Sequence, residues 1–185
     1  MMERLLVRKG VRPDIEVVKN FDHSIKTNRV WQMQQNLNNG EIATRFLETQ
    51  LPREMRVLYP RSPESLENFW GDFSAVLVGC IDQSPVGYLT LNSYFAPEIA
   101  WVKDIVVDEI WREKGIASSL IEKAIGWAKE RQLPRLMMEV SSKNFPAISL
   151  ARKHKFDYSG FNDSFFGNRD IALFFTRDLT SRISG

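Results

Sequence analysis

The stretch IVVDEIWREKGIASSLIEKAIGWA, residues 105–128, decides how this sequence folds. Its first residues complete AWVKDIVV, residues 100–107, a run that is β-branched and mostly apolar and therefore predicts a buried central strand. A short turn, DEIW, follows. From Gly115 to Arg131 apolar side chains recur at three- and four-residue steps, which predicts an amphipathic helix. Strand, turn and helix thus follow one another within this stretch.

The start of this predicted helix is suited to an anion. A helix N-terminus presents unpaired N–H groups and the positive end of the macrodipole. Gly115 lets the backbone approach a ligand because no Cβ intervenes, and Ala117 is the next smallest choice. Arg112 and Lys114 add positive charge at the rim. The alternative to an anion site is an ordinary strand-to-helix loop with solvated charges. Neither of the phosphate-binding motifs GxxxxGK[ST] and GxGxxG occurs in the sequence.

Strands and helices alternate through the rest of the second half. FSAVLVGCI and VGYLTLNSYF are predicted to pair antiparallel across the turn at residues 82–85. The other elements predicted here are strands at residues 133–140, 156–161 and 171–176 and a second helix at residues 144–154. Paired strands followed by alternating strands and helices predict an α/β fold with a mixed sheet.

The first third of the sequence is less regular. The segment Asn38–Gly40 separates RVWQMQQN from EIATRFLETQ, and an Asn-Gly pair between such runs predicts a β-hairpin because the tight turn needs positive φ. PDIEVVKNFD predicts a short helix that begins at Pro13. SPESLENFW predicts another, capped by Ser62. Residues 51–61 are predicted to be irregular or extended.

The composition is that of a soluble globular protein. Of the 185 residues, 43% are hydrophobic and 26% charged, and the net charge of +2 gives no reason to expect a nucleic-acid or membrane surface. The single cysteine, Cys80, lies in an apolar run and is predicted to be a buried thiol. The apolar run near the N-terminus is too short for a signal peptide or a membrane span, so a cytoplasmic location is expected. His23 and His154 lack partners at metal-ligand spacing, so no metal is expected.

Several spaced elements together resemble the GNAT N-acetyltransferases. Residues 105–128 resemble the family's acetyl-CoA-binding segment, a strand, then (Arg/Gln)-x-x-Gly-x-(Gly/Ala), then a helix, with Arg112, Gly115 and Ala117 at the motif positions. NFPAISLARKHKF resembles the family's Asn-x-x-Ala-(aliphatic)-x-x-Tyr-x-x-x-Gly-Phe; the matching residues are Asn144, Ala147, Ile148 and Phe156. FDHSIKTNRV, VKDI and IALFF resemble segments of the streptothricin and nourseothricin acetyltransferases within this family.

This resemblance implies one domain over residues 1–185 with the GNAT fold, a central mixed sheet flanked by helices. Residues 1–72 would form a variable acceptor-side part, and residues 73–185 the acetyl-CoA-binding core. The implied activity is transfer of acetyl from acetyl-CoA to a primary amine of a small molecule, such as a streptothricin-like antibiotic, by direct attack in a ternary complex. The alternatives are a peptide or protein N-terminal acetyltransferase and a non-catalytic CoA-binding regulator. A homodimer is also left open.

The resemblance also implies cofactor-binding residues. The backbone of Ile105, Val106 and Val107 would pair with the pantetheine amides, and Asn144 would hydrogen-bond the cofactor near its thiol end, with Ala147 beside it on the same helix. The residues whose amides would hold the pyrophosphate are Arg112, Glu113, Lys114, Gly115, Ile116, Ala117 and Ser118.

Acetyl transfer needs a group that removes a proton from the amine. A lysine-type amine has a pKa of about 10.4, so its deprotonation at pH 7 costs about 4–5 kcal/mol. Asp104 is the best candidate for the base because it matches the Asp of the family segment V-E-D-I. Glu98 and Glu139 are lesser candidates. The alternative for Asp104 is a structural carboxylate that positions a neighbouring loop.

The sequence departs from the resembled pattern at three positions. Lys103 stands where V-E-D-I has Glu and would repel a cationic substrate. Ala151 stands where many family members place a Tyr that protonates the leaving thiolate, and Lys155 replaces a Gly that ends the helix. The tyrosines that could substitute are Tyr158, Tyr94 and Tyr88. Asp163 and Asp170 either bind a cationic acceptor or are solvated charges in a turn.

Overall fold

The computed structural model describes residues 4–180 as a mixed sheet with helices on both faces and a long hairpin beside it. The strands are β1 (Leu6–Lys9), β2 (Ile25–Asn38), β3 (Glu41–Val57), β4 (Ala75–Ile81), β5 (Ser84–Asn92), β6 (Ile99–Val107), β7 (Arg135–Ser141), β8 (Asp157–Asn162) and β9 (Ala172–Asp178). The helices are α1 (Ile15–Val18), α2 (Ser65–Phe69), α3 (Ile116–Glu130) and α4 (Phe145–Lys153). The predicted α/β class with a mixed sheet is confirmed.

The seven-stranded sheet has the order β1-β4-β5-β6-β7-β9-β8. The pairing of β6 with β7 is parallel, and the other strand pairs of this sheet are antiparallel. The two strands of the parallel pair are joined through α3, because parallel neighbours need a long crossover connection, usually a helix. In the strand order β6 takes the middle position, so the strand predicted from residues 100–107 is the central one.

Helices cover both faces of the sheet, which explains why β4 is apolar without alternation. Leu77 of β4 packs in the cluster that contains Leu120 of α3 and Ile148 of α4. Its neighbours on the strand point to the other face, where Cys80 packs in the cluster of Val18 from α1. Cys80 is a buried thiol, as predicted, and burial raises its pKa.

The predicted hairpin is confirmed: β2 and β3 pair antiparallel, with Asn38 opposite Glu41, and form a separate two-stranded sheet. Trp31 of β2 ties this hairpin to the main body, because its amide donates to the Ser142 carbonyl oxygen and its ring meets Phe175 of β9 edge-on. β1 was not predicted from the sequence. Within residues 4–180 the structure contains no helix long and apolar enough to cross a membrane.

Candidate functional site

A gap opens in the middle of the sheet, between β6 and β7. Their pairing runs only from Ile99 to Val102 on the β6 side and stops there, while β6 continues to Val107. Lys103 is the extra residue of a β-bulge, since Val102 lies opposite Leu91 and Asp104 opposite Thr90. Past the bulge, the β6 edge that faces β7 offers backbone N–H and C=O groups that an extended ligand can pair with. Ile105, Val106 and Val107, the predicted pantetheine-binding residues, lie on this segment.

The start of α3 presents unpaired amides. Gly115 has φ +84°, a left-handed conformation that favours glycine, and precedes the first helical residue. In the described part of the chain no side chain caps α3, and the amides of residues 113–118 have no protein acceptor. By contrast, Asn144 caps α4, accepting from the Ala147 amide at 3.1 Å. The predicted anion-binding amides of Glu113, Lys114, Gly115, Ile116, Ala117 and Ser118 are thus free for a ligand.

Arg112 differs from its prediction. Its amide donates to the Glu109 carbonyl oxygen at 3.3 Å and is not part of the free set. Its guanidinium is also engaged internally, because Nε donates to the Val107 carbonyl oxygen at 3.0 Å and Nη2 to that of Asp22. Arg112 therefore holds the loop in place, and its guanidinium is half-buried against two carbonyl oxygens of the protein. Lys114 is exposed, with its ammonium 4.3 Å from the centre of the Trp111 ring.

The side chain of Ile116 anchors the α3 start to the sheet. It is buried, and its Cγ2 atom lies against the two facing glycines Gly79 and Gly87, at positions where a Cβ would come within 3.3 Å and 3.2 Å. These glycines let the helix approach the strands closely. In the first turn of α3, the Ser118 hydroxyl accepts from Lys153 of α4 at 3.3 Å. Lys153 thereby brings a positive charge to the start of α3.

Helix α4 divides its residues between cleft and core. Asn144 and Ala147 line a narrow cavity between β6 and β7, whereas Ile148 and Ala151 are fully buried in the core. The Oδ1 atom of Asn144 is used in the helix cap, which leaves its Nδ2 donor for a ligand. Residue 151 is an alanine and faces the core, so this helix provides no hydroxyl group at that position.

A second, larger cavity of about 590 Å³ adjoins the narrow one. The two share Arg61, Lys103 and Asp104 as lining residues. The larger cavity is otherwise lined by Ser62, Ser65, Phe69, Asp72, Phe73, Asn92, Tyr94 and Phe95. Several of these come from the segment around α2, so part of the N-terminal third does reach the cleft.

Asp104, the predicted base, is a buried carboxylate at this junction. Its Oδ1 accepts from the Tyr59 hydroxyl at 2.6 Å and from Arg61 at 3.1 Å, and its Oδ2 accepts from the Thr90 hydroxyl at 2.7 Å. A carboxylate offers about four acceptor positions, so roughly one stays open to the cleft. The geometry fits both the catalytic and the loop-positioning interpretation.

Glu139 and Lys103 form the second half of the junction. The Lys103 ammonium donates to Glu139 at 2.8 Å, and Arg61 forms an ion pair with the same carboxylate. Burial, and after it the positive charge of Arg61, lowers the pKa of Lys103 to about 8, while the nearby Asp104 acts in the opposite direction. Glu139, a lesser candidate for the base, is thus bound to two cations. Glu98, the other one, lies in an exposed turn near Arg135, at 3.7 Å, and outside the cleft.

Behind Asp104 a set of buried aromatic groups extends away from the cleft. The Nδ1 atom of His23 lies 2.8 Å from the Phe21 carbonyl oxygen, which can only accept, so Nδ1 carries the proton and Nε2 accepts from the Tyr88 hydroxyl at 3.1 Å. Burial lowers the pKa of His23, which keeps the ring neutral. Burial and then the charge of Asp104 raise the pKa of Tyr59 and of Tyr88.

The tyrosines considered as thiolate proton donors lie away from the narrow cavity. Tyr88 is a buried residue of β5 whose hydroxyl pairs with His23, and Tyr158 is on β8. Tyr94 lines the larger cavity but donates its hydroxyl to the Asp72 carbonyl oxygen at 2.9 Å. The tyrosine that does line the narrow cavity, Tyr59, was missed.

Asp170 and Lys155 have local structural roles. Asp170 is buried and accepts from Lys143, Ser141 and Asn168. It is therefore neither a residue that binds a cationic acceptor nor a solvated charge of a turn, the two interpretations given above. Lys155 has φ +58°, which confirms the left-handed conformation expected where a glycine would end the helix. Within residues 4–180 no group of His, Cys, Asp and Glu side chains is arranged to hold a metal ion.

Comparison with known proteins adds a family to this geometry. The profile of the Acetyltransferase (GNAT) family matches residues 44–156, more than half of the chain. Streptothricin acetyltransferase of Escherichia coli is 41% identical over 87 residues, which are 47% of this chain and 49% of that protein. The chain spans about half the length of the curated relatives it matches.

Two crystal structures have the same fold. Nourseothricin acetyltransferase superposes with a TM-score of 0.80 at 22% identity, covering 95% of this chain and 99% of that chain. A Bacillus anthracis protein in complex with acetyl coenzyme A superposes with a TM-score of 0.74 at 21% identity, covering 95% and 99%. At these identities the likeness shows the fold alone.

Proposed function

We propose that this chain, which belongs to the acetyltransferase (GNAT) family, transfers an acetyl group from acetyl-CoA to a primary amine of a small molecule. The observation that carries the proposal is that two cavities share Arg61, Lys103 and Asp104. The narrow cavity follows the open edge of β6, and the wide one has room for a small amine. A thioester in the first would therefore meet an amine in the second.

The open groups of the site fit acetyl-CoA. The unpaired amides of residues 113–118 at the start of α3 suit a diphosphate, because a helix N-terminus attracts negative charge. Ile105, Val106 and Val107 would pair with pantetheine amides through the β6 edge past the bulge, Val107 by its amide alone, since its carbonyl oxygen accepts from Arg112. The free Nδ2 donor of Asn144 lies at the narrow cavity, where it would bind the thiol end. When bound, acetyl-CoA supplies the activated acetyl group.

Asp104 would remove the proton that blocks the amine. The neutral amine nitrogen then attacks the thioester carbonyl carbon, the new C–N bond forms as the C–S bond breaks, CoA leaves as the thiolate, and the second proton of the nitrogen goes to water. The first proton, which blocks the amine, goes to Asp104 directly or through one water. Donation from Tyr59, Arg61 and Thr90 fixes the orientation of the carboxylate and leaves roughly one acceptor position for this proton.

The α4 position that carries a Tyr in many family members is Ala151 here, which has no hydroxyl, so a proton for the thiolate does not come from that position. Loss of a general acid costs about 10²-fold in rate or more. A thiolate that leaves without a proton is tolerable in this chemistry, since it is a good leaving group. The chain would then work with a base and an oriented thioester alone.

The relative with 41% identity makes streptothricin the first acceptor to test, and the larger cavity, of about 590 Å³, has room for a small molecule. The division of the chain into an acceptor-side part, residues 1–72, and a core, residues 73–185, is supported by the position of Arg61, Ser62 and Phe69 in that cavity. A cytoplasmic location and a homodimer stay predictions, to be checked by cell fractionation and by light scattering.

The test is release of free thiol from acetyl-CoA over an amine panel that contains streptothricin, amino acids and N-terminal peptides. We expect thiol release with at least one small amine and an N-acetylated product by mass spectrometry. Asp104→Asn is expected to lower kcat while acetyl-CoA binding is kept; Glu41→Gln, which changes an exposed carboxylate of the hairpin, is the matched control. Binding of acetyl-CoA without thiol release from any amine would instead indicate a non-catalytic CoA-binding protein.

A further inference from the structure

The inner end of the larger cavity holds two partly exposed cations beside buried carboxylates. The side chains of Arg61 and Lys103 are 25% and 19% exposed, whereas those of Asp104 and Glu139 are 7% and 0% exposed. Of these four charged groups the two cations are the more exposed, Asp104 lines the cavity beside them, and Glu139 lies outside its lining. An incoming ligand therefore meets Arg61 and Lys103 together with Asp104.

These cations still have hydrogen-bond donors to offer. The Lys103 ammonium has three N–H groups, of which one is used by Glu139 at 2.8 Å. The guanidinium of Arg61 has five, and its protein partners are the Lys103 carbonyl oxygen, Asp104 and Glu139. Arg61 and Lys103 thus have N–H groups left for a hydrogen-bond acceptor of the ligand, and their own positive charge favours an anionic acceptor.

Aromatic rings hold the Lys103 ammonium in this place. Its nitrogen lies 4.7 Å from the centre of the Trp101 ring, 5.7 Å from that of Phe95 and 5.8 Å from that of Phe165. Cation–π attraction of this kind favours a fixed ammonium over one that swings into solvent. Phe95 also lines the larger cavity, so Lys103 presents its charge beside an apolar wall.

Two further charged residues line the larger cavity, Asp72 and Asp104. Asp104 lies at the junction with the narrow cavity, next to the cationic pair. The junction thus places an acceptor for an ammonium hydrogen directly beside donors for a carboxylate. A molecule with an amine and a carboxylate close together matches both at once.

Resting on the proposed function, we infer that the amine acceptor carries a carboxylate beside its reactive amine, as an amino acid or a short peptide-like molecule does, and that Lys103 and Arg61 bind this carboxylate. Lys103 is the specificity-determining residue of the pair. The resembled segment V-E-D-I has glutamate at this position, so the exchange for lysine reverses the charge that the acceptor meets. Acceptors with a second cation near the amine are disfavoured.

The test compares three acceptors on one skeleton: L-leucine, L-leucinamide and isopentylamine. Their kcat/KM values are measured with wild type, Lys103→Met, which keeps the length and removes the charge, and Lys103→Glu, which reverses it. For each variant, kcat/KM for leucine is divided by kcat/KM for isopentylamine, so that a change in overall activity cancels. Comparing this ratio between variants then cancels the different intrinsic reactivities of the two amines. Lys26→Glu, at an exposed lysine of β2, is the matched charge control.

We expect Lys103→Met to lower the leucine-to-isopentylamine ratio of kcat/KM at least tenfold, and Lys103→Glu to lower it further. The effect on leucinamide should lie between the effects on leucine and on isopentylamine. KM for acetyl-CoA should change little. Lys26→Glu should leave the ratio unchanged. A ratio equal in wild type and both Lys103 variants would overturn the inference, as would wild-type preference for isopentylamine. Absence of both acetyl-CoA binding and thiol release with every amine would instead contradict the proposed function.

A measurement on wild type alone covers the case in which the Lys103 variants do not fold. N-acetyl-L-leucine and N-acetyl-L-leucinamide differ only in the carboxylate, and neither has an amine that reacts. We expect the acid to inhibit at least tenfold more tightly than the amide, in competition with the amine. Equal inhibition by the two would overturn the inference.

Discussion

Arg112 donates from its guanidinium to the carbonyl oxygen of Asp22, which lies 90 positions earlier in the chain. The same guanidinium bonds the Val107 carbonyl oxygen at the end of β6. The loop that offers amides at the start of α3 is therefore fastened at once to the central strand and to the N-terminal segment. Asp22 is itself held by Ser24 and Arg56, so the segment is a firm support.

Arg112→Ala should loosen this loop. Hydrogen bonds to a charged group contribute about 1.5–3 kcal/mol each, so we expect the variant to lose about 2 kcal/mol of unfolding free energy or more and several degrees of Tm. Affinity for acetyl-CoA should fall about tenfold because the amides lose their alignment. Thermal unfolding and calorimetric titration check both effects.

Arg45→Ala is the control for that variant, because Arg45 bonds Gln34 on the exposed part of the hairpin, at 2.8 Å. It should change neither Tm nor acetyl-CoA affinity. If Arg112→Ala behaves like Arg45→Ala, the loop does not depend on the contact with Asp22.

Gly115→Ala separates backbone strain from ligand binding. Gly115 and Gly40 both have φ +84°, and a Cβ on either would meet nothing within 4 Å. The left-handed conformation costs a residue with a Cβ about 1 kcal/mol, so Gly115→Ala and Gly40→Ala should lose similar stability. Only Gly115→Ala should weaken acetyl-CoA binding, because its methyl group lies among the free amides.

Denaturant unfolding and acetyl-CoA titration of the two glycine variants give the comparison. Equal loss of stability with a loss of affinity at Gly115 alone supports the amide site. Equal affinity in both variants, with the stability loss observed, would show that the cofactor does not approach Gly115.

The stability of the N-terminal support should depend on pH through Asp22. Hydrogen bonds from Ser24, and then from Arg56, lower the pKa of Asp22 from 3.8 to about 2. Because the pKa of the Asp22 carboxyl is lowered by folding, its contribution to the free energy of unfolding is complete above pH 3.8. This contribution is lost as the pH falls through about 2. Because the side chain is 33% exposed, the shift is discounted for screening, and Asp22→Asn should cost about 1 kcal/mol at pH 7.

Urea unfolding of wild type and Asp22→Asn at pH 7, 3 and 2 checks this dependence. The difference in unfolding free energy between the two should shrink toward zero at the lowest pH. Asp163→Asn should show no difference at any of the three. A difference for Asp22→Asn that is constant with pH would mean that its charge has no part in the stability.

Most of the fold could be predicted because its signals are local. The alternation of strands and helices after Phe73, the hairpin at Asn38–Gly40 and the resemblance to the GNAT family all depend on residues close in sequence, and they are confirmed. The strand Leu6–Lys9 was missed because it is short, half-exposed and half charged, so its sequence shows no clear alternation of apolar and polar residues.

The site could be predicted only in part, because its junction joins distant segments. Asp104 and Lys103 were singled out from the β6 sequence, but their partners Tyr59 and Arg61 lie more than forty positions away. A tyrosine and an arginine in an irregular segment give no sequence signal of such contacts. Arg112 shows the opposite problem: its charge is visible in the sequence, whereas its internal hydrogen bonds are not.

The central claim is that the amides at the start of α3 bind the diphosphate of acetyl-CoA, and amide chemical shifts test it most directly. In ¹H–¹⁵N spectra of the labelled protein, CoA should shift the amides of residues 113–118 strongly, whereas pantetheine, which lacks the diphosphate, should move residues of β6 and leave those amides in place. Amides 113–118 that stay unmoved at saturating CoA, while other residues respond, would contradict the account.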